Sequence, residues 1–99
     1  MVIKKKVVNK SITEYRNENG DLHNVDDLPA IILNGLSKLW YQNDKCHRDG
    51  DKPAIVCNDG YQAWYKEGVL HREGGKPAII HPNGIEEYWI NGKKIKQEW

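Results

Sequence analysis

The sequence predicts an all-β protein, an elongated antiparallel meander sheet of 24-residue, two-stranded repeats. Three observations carry that prediction. First, Pro29, Pro53 and Pro77 stand 24 residues apart, as do His23, His47 and His71, and Trp40, Trp64 and Tyr88. A fixed period of this length is the mark of a repeat array. Second, no stretch longer than about ten residues has an apolar period of 3.6, and Gly or Pro interrupts every few positions, which disfavours helix. Third, short runs of β-formers are bounded by Asn34-Gly35, Asn43-Asp44, Asn58-Asp59-Gly60, Glu67-Gly68, Asn83-Gly84 and Asn91-Gly92. Such pairs suit tight hairpins, whose two turn residues need positive φ.

The 99 residues divide as a single repeat domain. Residues 1–28 form a degenerate copy, in which Leu22-His23 precede Cys46-His47 by the period but Tyr15 is one residue out of the aromatic column. Copies at 29–52 and 53–76 are clear. A C-terminal capping copy spans 77–99, with Ile95 in place of the histidine and Lys96 in place of the arginine. Terminal repeats have one neighbour and are expected to be atypical. In each copy one strand runs as Tyr61 to Lys66 and the next as Val69 to His81, irregular at Glu73-Gly74-Gly75-Lys76. Proline lacks an amide donor, so Pro53 and Pro77 are expected to begin a strand segment or sit at a bulge.

Counting outward from Glu67-Gly68 pairs Lys66 with Val69, Tyr65 with Leu70, Trp64 with His71 and Ala63 with Arg72. Side chains alternate between faces, so two columns follow. One face carries Trp40, Trp64, Tyr88, His47 and His71 among polar groups such as Lys38, Gln42, Gln62, Lys66 and Glu86. The other carries Tyr41, Tyr65, Trp89, Cys46, Leu70, Leu39, Ala63, Tyr61 and Ile85. The second face is the more apolar and is expected to be the core. The first is then an exposed aromatic strip, and exposed Trp and Tyr are typical anchors for a partner. The expected partner-binding residues are Trp40, His47, Trp64, His71, Tyr88, Lys66 and Gln62.

Trp64 to Gly84, WYKEGVLHREGGKPAIIHPNG, and Tyr88 to Lys94, YWINGKK, resemble MORN-type repeats. The likeness covers roughly residues 15–99. It is nearest the divergent variant with His-Arg-x-x-Gly-x-Pro-Ala units, associated with phage, giant-virus and some bacterial proteins, of which related bacterial members are antitoxin-like. His71-Arg72 and Lys76-Pro77-Ala78 depart from the family's paired glycines. The resemblance implies a single-layer antiparallel sheet with a scaffolding or binding role. It also suggests a small virus- or phage-type inhibitor of a host factor, or an antitoxin-like partner of a toxin.

Chemistry is harder to find. Equivalent histidines lie two strands apart, about 10 Å, too far to share a zinc ion with ligands at about 2.0–2.3 Å. Cys46 and Cys57 stand in leucine columns and read as small apolar groups. No paired carboxylates sit in an apolar setting, so no general acid or base is expected. No catalytic residue, cofactor or metal is therefore expected, and the chain reads as a non-enzymatic protein-binding module. Single-stranded nucleic acid stacked on Trp40 and Trp64 is the alternative, but 15 Lys plus Arg against 14 Asp plus Glu gives no general reason to expect it. The only basic run, Lys4 to Lys6, is too short to change that and reads as a solvated strand end. The aromatic strip also allows a homodimer. No run is long and apolar enough for a signal segment or membrane span, so a soluble, cytoplasmic protein without membrane partners is expected.

Overall fold

The computed structural model describes residues 1–95; the expected role of Lys96 and the end of the capping copy lie outside them. No described residue is helical. Thirteen short strands follow in order: β1 (Lys4–Asn9), β2 (Ile12–Arg16), β3 (Ile31–Leu33), β4 (Ser37–Leu39), β5 (Tyr41–Gln42), β6 (Lys45–Cys46), β7 (Ile55–Val56), β8 (Gln62–Ala63), β9 (Tyr65–Lys66), β10 (Val69–Leu70), β11 (Ile79–Ile80), β12 (Glu86–Ile90) and β13 (Lys93–Ile95). Nine of them form one antiparallel meander sheet in the order β1-β2-β3-β4-β7-β8-β11-β12-β13, and the pairs β5–β6 and β9–β10 stand apart as hairpins. The described chain measures 47 × 26 × 18 Å.

Turn chemistry explains the hairpins. Asn43 and Asp44, Glu67 and Gly68, and Asn91 and Gly92 all have positive φ, between 49° and 83°. Two left-handed residues in succession give the turn whose twist matches its strands. Lys66 accordingly pairs with Val69 and Tyr65 with Leu70. Asn34 and Gly35 are both left-handed as well, at 52° and 69°, but two turns differ from expectation. At Asn58-Asp59-Gly60 and Asn83-Gly84 only the glycine is left-handed. The Cys57 and His81 amides donate across to Tyr61 and Ile85, and both carbonyls accept from the turn glycine. These are three-residue loops ending in a left-handed glycine.

The expected strands are cut where the tryptophans stand. Trp40 donates its amide to Ala54 and accepts from the His47 amide; Trp64 does the same with Ala78 and His71. Each tryptophan thus pivots between the large sheet on one side and its own hairpin on the other. β12 is the uninterrupted form: Glu86 and Glu87 pair with β11, while Tyr88 to Ile90 pair with β13. Val69 to His81 is correspondingly not one strand but two, β10 and β11, in different pairings. Ala63 faces Ile55 and Ile79 rather than Arg72. Residues 71–78 between them belong to no strand, and Arg72 among them stacks on the Trp64 ring.

The face expected to be exposed is therefore interior as well, and Trp40 and Cys46 share one core cluster with Tyr41 and Tyr65 packed against it. Trp40 and Trp64 are only 8% and 7% exposed, and His47 is also buried. Tyr41, Tyr65, Leu70 and Trp89, expected in the core, are half-buried, although Ala63 and Cys46 on their face are buried. Burial pushes the Tyr41, Tyr61 and Tyr65 hydroxyls above the usual phenol range. Ala30, Ala54, Ala63 and Ala78 are completely buried. Small residues at these points let neighbouring segments approach closely.

Candidate functional site

The candidate site is a pair of open grooves on the tryptophan face. One, of about 290 Å³, is lined by Trp40, Tyr41, Gln42, His47, Arg48 and Asp27 among others. The second, of about 370 Å³, is lined by Trp64, Tyr65, Lys66, His71, Arg72 and Asp51 among others. Every residue named for the second groove stands 24 after its counterpart in the first.

Each groove is walled by the same set of contacts. The Arg48 guanidinium carbon lies 3.8 Å from the Trp40 ring centroid, and Arg72 stands 3.8 Å from that of Trp64. A guanidinium over an indole face is attracted by the ring's quadrupole. Arg48 Nε and Nη2 donate to the two Asp27 oxygens at 2.9 and 3.1 Å, and Nη1 donates to the Pro53 carbonyl at 3.0 Å. Arg72 repeats this with Asp51, at 2.9 and 3.5 Å, and with the Pro77 carbonyl at 3.0 Å. Lys52 and Lys76 add a third charge, donating to Asp27 and Asp51 at 2.9 and 3.1 Å. The indole Nε1–H groups donate to the Asp27 and Asp51 carbonyls. Two cations hold the Asp27 carboxyl at about 2, Arg48 the larger influence and Lys52 the next. The Asp51 carboxyl is lowered in the same way by Arg72 and Lys76.

The histidine column is equally committed to the fold. His23, His47 and His71 accept at Nδ1 the amides of Asn43, Glu67 and Asn91, at 3.1, 2.9 and 2.9 Å. Those amides belong to the two-residue turns, so each histidine pins the next hairpin. With Nδ1 accepting, the proton is on Nε2, which faces Asp49 at 2.8 Å from His47 and Glu73 at 3.4 Å from His71. Turn to strand, the Asp44, Gly68 and Gly92 amides donate to the Leu22, Cys46 and Leu70 carbonyls. Both ring nitrogens of His47 and of His71, the two histidines of the grooves, are thus engaged within the chain.

The expected contact residues therefore separate. Trp40, Trp64 and His47 are groove walls, with their rings covered by the chain itself. Lys66 is exposed, and Gln62, His71 and Tyr88 are half-exposed. His47 and Gln42 stay with the first groove, His71 and Lys66 with the second, and Tyr88 lines neither. Asp27, Asp51, Arg48, Arg72, Lys52 and Lys76 were not singled out from the sequence, though each pair is spaced by the same 24 residues. Tyr15 also takes an unexpected part. Its amide donates to Ala30 and its carbonyl accepts from His23, as Trp40 does with Ala54 and His47. The loop between Arg16 and Leu22 holds one residue more than that between Tyr41 and Cys46, which absorbs the offset.

The fourth histidine lies elsewhere. His81 Nε2 is 2.6 Å from Glu87, which also accepts from Trp89 Nε1, and Tyr61 meets His81 edge-on at 5.6 Å. The His81 contact is the main reason the Glu87 carboxyl is lowered. Burial pushes the Cys46 thiol up to about 12, a poor nucleophile at neutral pH. Among the described residues no three His, Cys, Asp or Glu side chains gather closely enough to hold a metal ion. Among the same residues no helix is long and apolar enough to cross a membrane. No family model, curated protein or solved structure matched this chain.

Proposed function

We propose that the chain is a MORN-like array of 24-residue, two-stranded units that binds another protein and catalyses no reaction. The observation that carries this reading is the pair of like grooves, one per unit, with identical hydrogen-bonded walls and different polar rims. Gln42 and Asp49 line the first, where Lys66 and Glu73 line the second. Lys38 and Gln62 occupy equivalent places on the neighbouring strands β4 and β8. A constant scaffold with variable rims along a 47 Å body suits an extended macromolecular partner better than a small molecule. Every histidine and arginine of the walls is used in holding the fold, which supports a binding role over an enzymatic one. The contacts proposed are Lys66, Gln62, His71 and Tyr88, backed by Trp40, His47 and Trp64. The kinds of partner suggested by the resemblance are a host factor or a toxin met in the cytoplasm, with a second copy as a further option.

Nucleic-acid stacking is a weaker reading, since Arg48 and Arg72 already cover the indole faces. The test is capture from a host-cell lysate with the wild-type chain and with Gln62→Glu/Lys66→Glu. A protein retained by the first and lost by the second, at equal melting temperature, is expected. Empty capture, or retention by both, would overturn the reading.

A further inference from the structure

The first unit contains the same groove with its charges removed. Tyr15 takes the backbone role of Trp40 and Trp64, and Asn24 stands 24 residues before Arg48. Asn24 Nδ2 donates to the Pro29 carbonyl at 3.0 Å, the bond that Arg48 and Arg72 make to Pro53 and Pro77. Residues before the longer Arg16–Leu22 loop stand 25 rather than 24 ahead of their counterparts, Lys6 opposite Glu14 answering Ile31 opposite Leu39. Val2 therefore stands in the place of Asp27 and Asp51, and Leu28 in that of Lys52 and Lys76. An ion trio that caps the aromatic ring twice is thus replaced by Val2, Asn24 and Leu28. No guanidinium among the described residues covers Tyr15, and a cavity of about 200 Å³ opens there, lined by Ile3, Tyr15, Leu28, Pro29 and Ile32 with Lys5 at its rim. Leu28 is 53% exposed, and Met1 and Val2, just before Ile3 in the chain, are more so. The outer face of a terminal unit is ordinarily polar; this one is apolar.

The strand beside the groove is β1, the edge of the nine-stranded sheet and exposed along its length. Its outward amides and carbonyls can take a further strand. It carries Lys4, Lys5 and Lys6, followed by Lys10, and no carboxylate. The far edge, β13, carries Lys93 and Lys94, so pairing of the two edges between copies brings like charges together. The complementary partner is acidic.

Resting on the protein-binding reading above, we propose that the first groove and β1 together are the docking site for an acidic, extended segment of a partner protein. The segment adds as a strand to β1 and seats one aromatic or aliphatic side chain over Tyr15, between Ile3 and Leu28. Lys4, Lys5 and Lys6 supply the charge complement. The pairing is accordingly weakened by salt, because exposed charges are screened within about 8–10 Å at physiological strength.

The test is a titration of the isotopically labelled full chain, followed by amide NMR shifts. The probe is a peptide alternating Glu and Val about a central Trp, with a control in which Lys replaces each Glu. Saturable shifts at Ile3, Tyr15, Leu28 and Ile32 are expected with the acidic peptide only, weakened several-fold by raising salt. Val2→Asp/Asn24→Arg/Leu28→Lys rebuilds the ion trio and is expected to weaken binding by at least about tenfold, as loss of a hot-spot pocket does. Leu28→Asp, at an exposed position, is a second variant expected to do the same without disturbing the fold. Shifts confined to another surface, equal binding of the Lys peptide, no shift at all, or undiminished binding by both variants would overturn the inference. Each of those results leaves the protein-binding reading to its own capture experiment, which turns on Gln62 and Lys66 and not on this groove.

Discussion

Replacing Trp64 with alanine is expected to damage the fold more than replacing its neighbour Tyr65. Trp64 is 7% exposed, so truncation removes nearly a whole indole from the interior. Loss of a buried aromatic ring costs about 3–5 kcal/mol. The variant also loses the Nε1–H bond to the Asp51 carbonyl and leaves Arg72 without the ring it covers. Each of those adds about 0.5–1.5 kcal/mol. A domain of this size holds about 5–15 kcal/mol in total, so Trp64→Ala should be unfolded or barely folded at 25 °C. Tyr65 is half-buried, and about 1–2 kcal/mol is expected for the apolar area it covers. Urea unfolding of both variants, followed by far-UV circular dichroism, gives the comparison directly. Tyr65→Ala losing as much stability as Trp64→Ala, or more, would refute the assignment of the tryptophan face as interior.

Arg72→Lys is expected to lose about 1–3 kcal/mol and behave nearly as Arg72→Ala, because an ammonium cannot reach both Asp51 oxygens and the Pro77 carbonyl together; thermal melts of the two variants decide it. The melting temperatures of wild type and Asp27→Asn should converge in acid. The folded chain holds the Asp27 carboxyl at about 2 against an ordinary 3.8, so it binds that proton more weakly than the unfolded chain does. Its contribution is complete above about pH 4 and disappears as pH falls through about 2; a gap that persists at pH 2 contradicts the Arg48–Lys52 pairing. A thiol reagent at pH 7.5 should label half-exposed Cys57 quickly and buried Cys46 only on unfolding, read by mass after partial reaction; rapid double labelling of the folded chain would count against the Cys46 environment. Chelator should leave the melting curve unchanged, since no described cluster can hold an ion, and a fall in melting temperature would reveal one.

Much of the β architecture was legible because turn chemistry and alternation are local. Glu67-Gly68 alone specified the Lys66–Val69 and Tyr65–Leu70 pairs, and both are present. The path of residues 71–78 was not legible. It contains Gly74 and Gly75 in left-handed conformations, has no alternation to follow, and sets Arg72 on the face that the pattern had left to solvent. For that reason only part of the core was placed: Ala63 and Cys46 were, and Trp40 and Trp64 were not. An amphipathic residue can be interior when its own chain supplies the lid: Arg72 stacks on Trp64 and hydrogen-bonds Asp51, contacts 8 and 21 residues away in sequence. Reading Asp27, Arg48 and Lys52 as a set spaced like Asp51, Arg72 and Lys76 would have shown the lid. Read singly, each is an ordinary surface charge.

The central claim is that the first unit is built like the two after it apart from one extra residue between Arg16 and Leu22, so that its groove lacks only the ion trio. Thermal melting of Val2→Asp/Asn24→Arg/Leu28→Lys tests this most directly. The equivalence predicts that the three introduced side chains close over Tyr15 as their counterparts close over Trp40 and Trp64. About 1 kcal/mol gained corresponds to a melting temperature roughly 4–8 °C higher, and the gain should vanish in the variant that carries the arginine without the aspartate. A melting temperature lowered by the triple substitution would contradict the equivalence, because it would mean that Tyr15, Asn24 and Pro29 do not frame the site that Trp40, Arg48 and Pro53 frame.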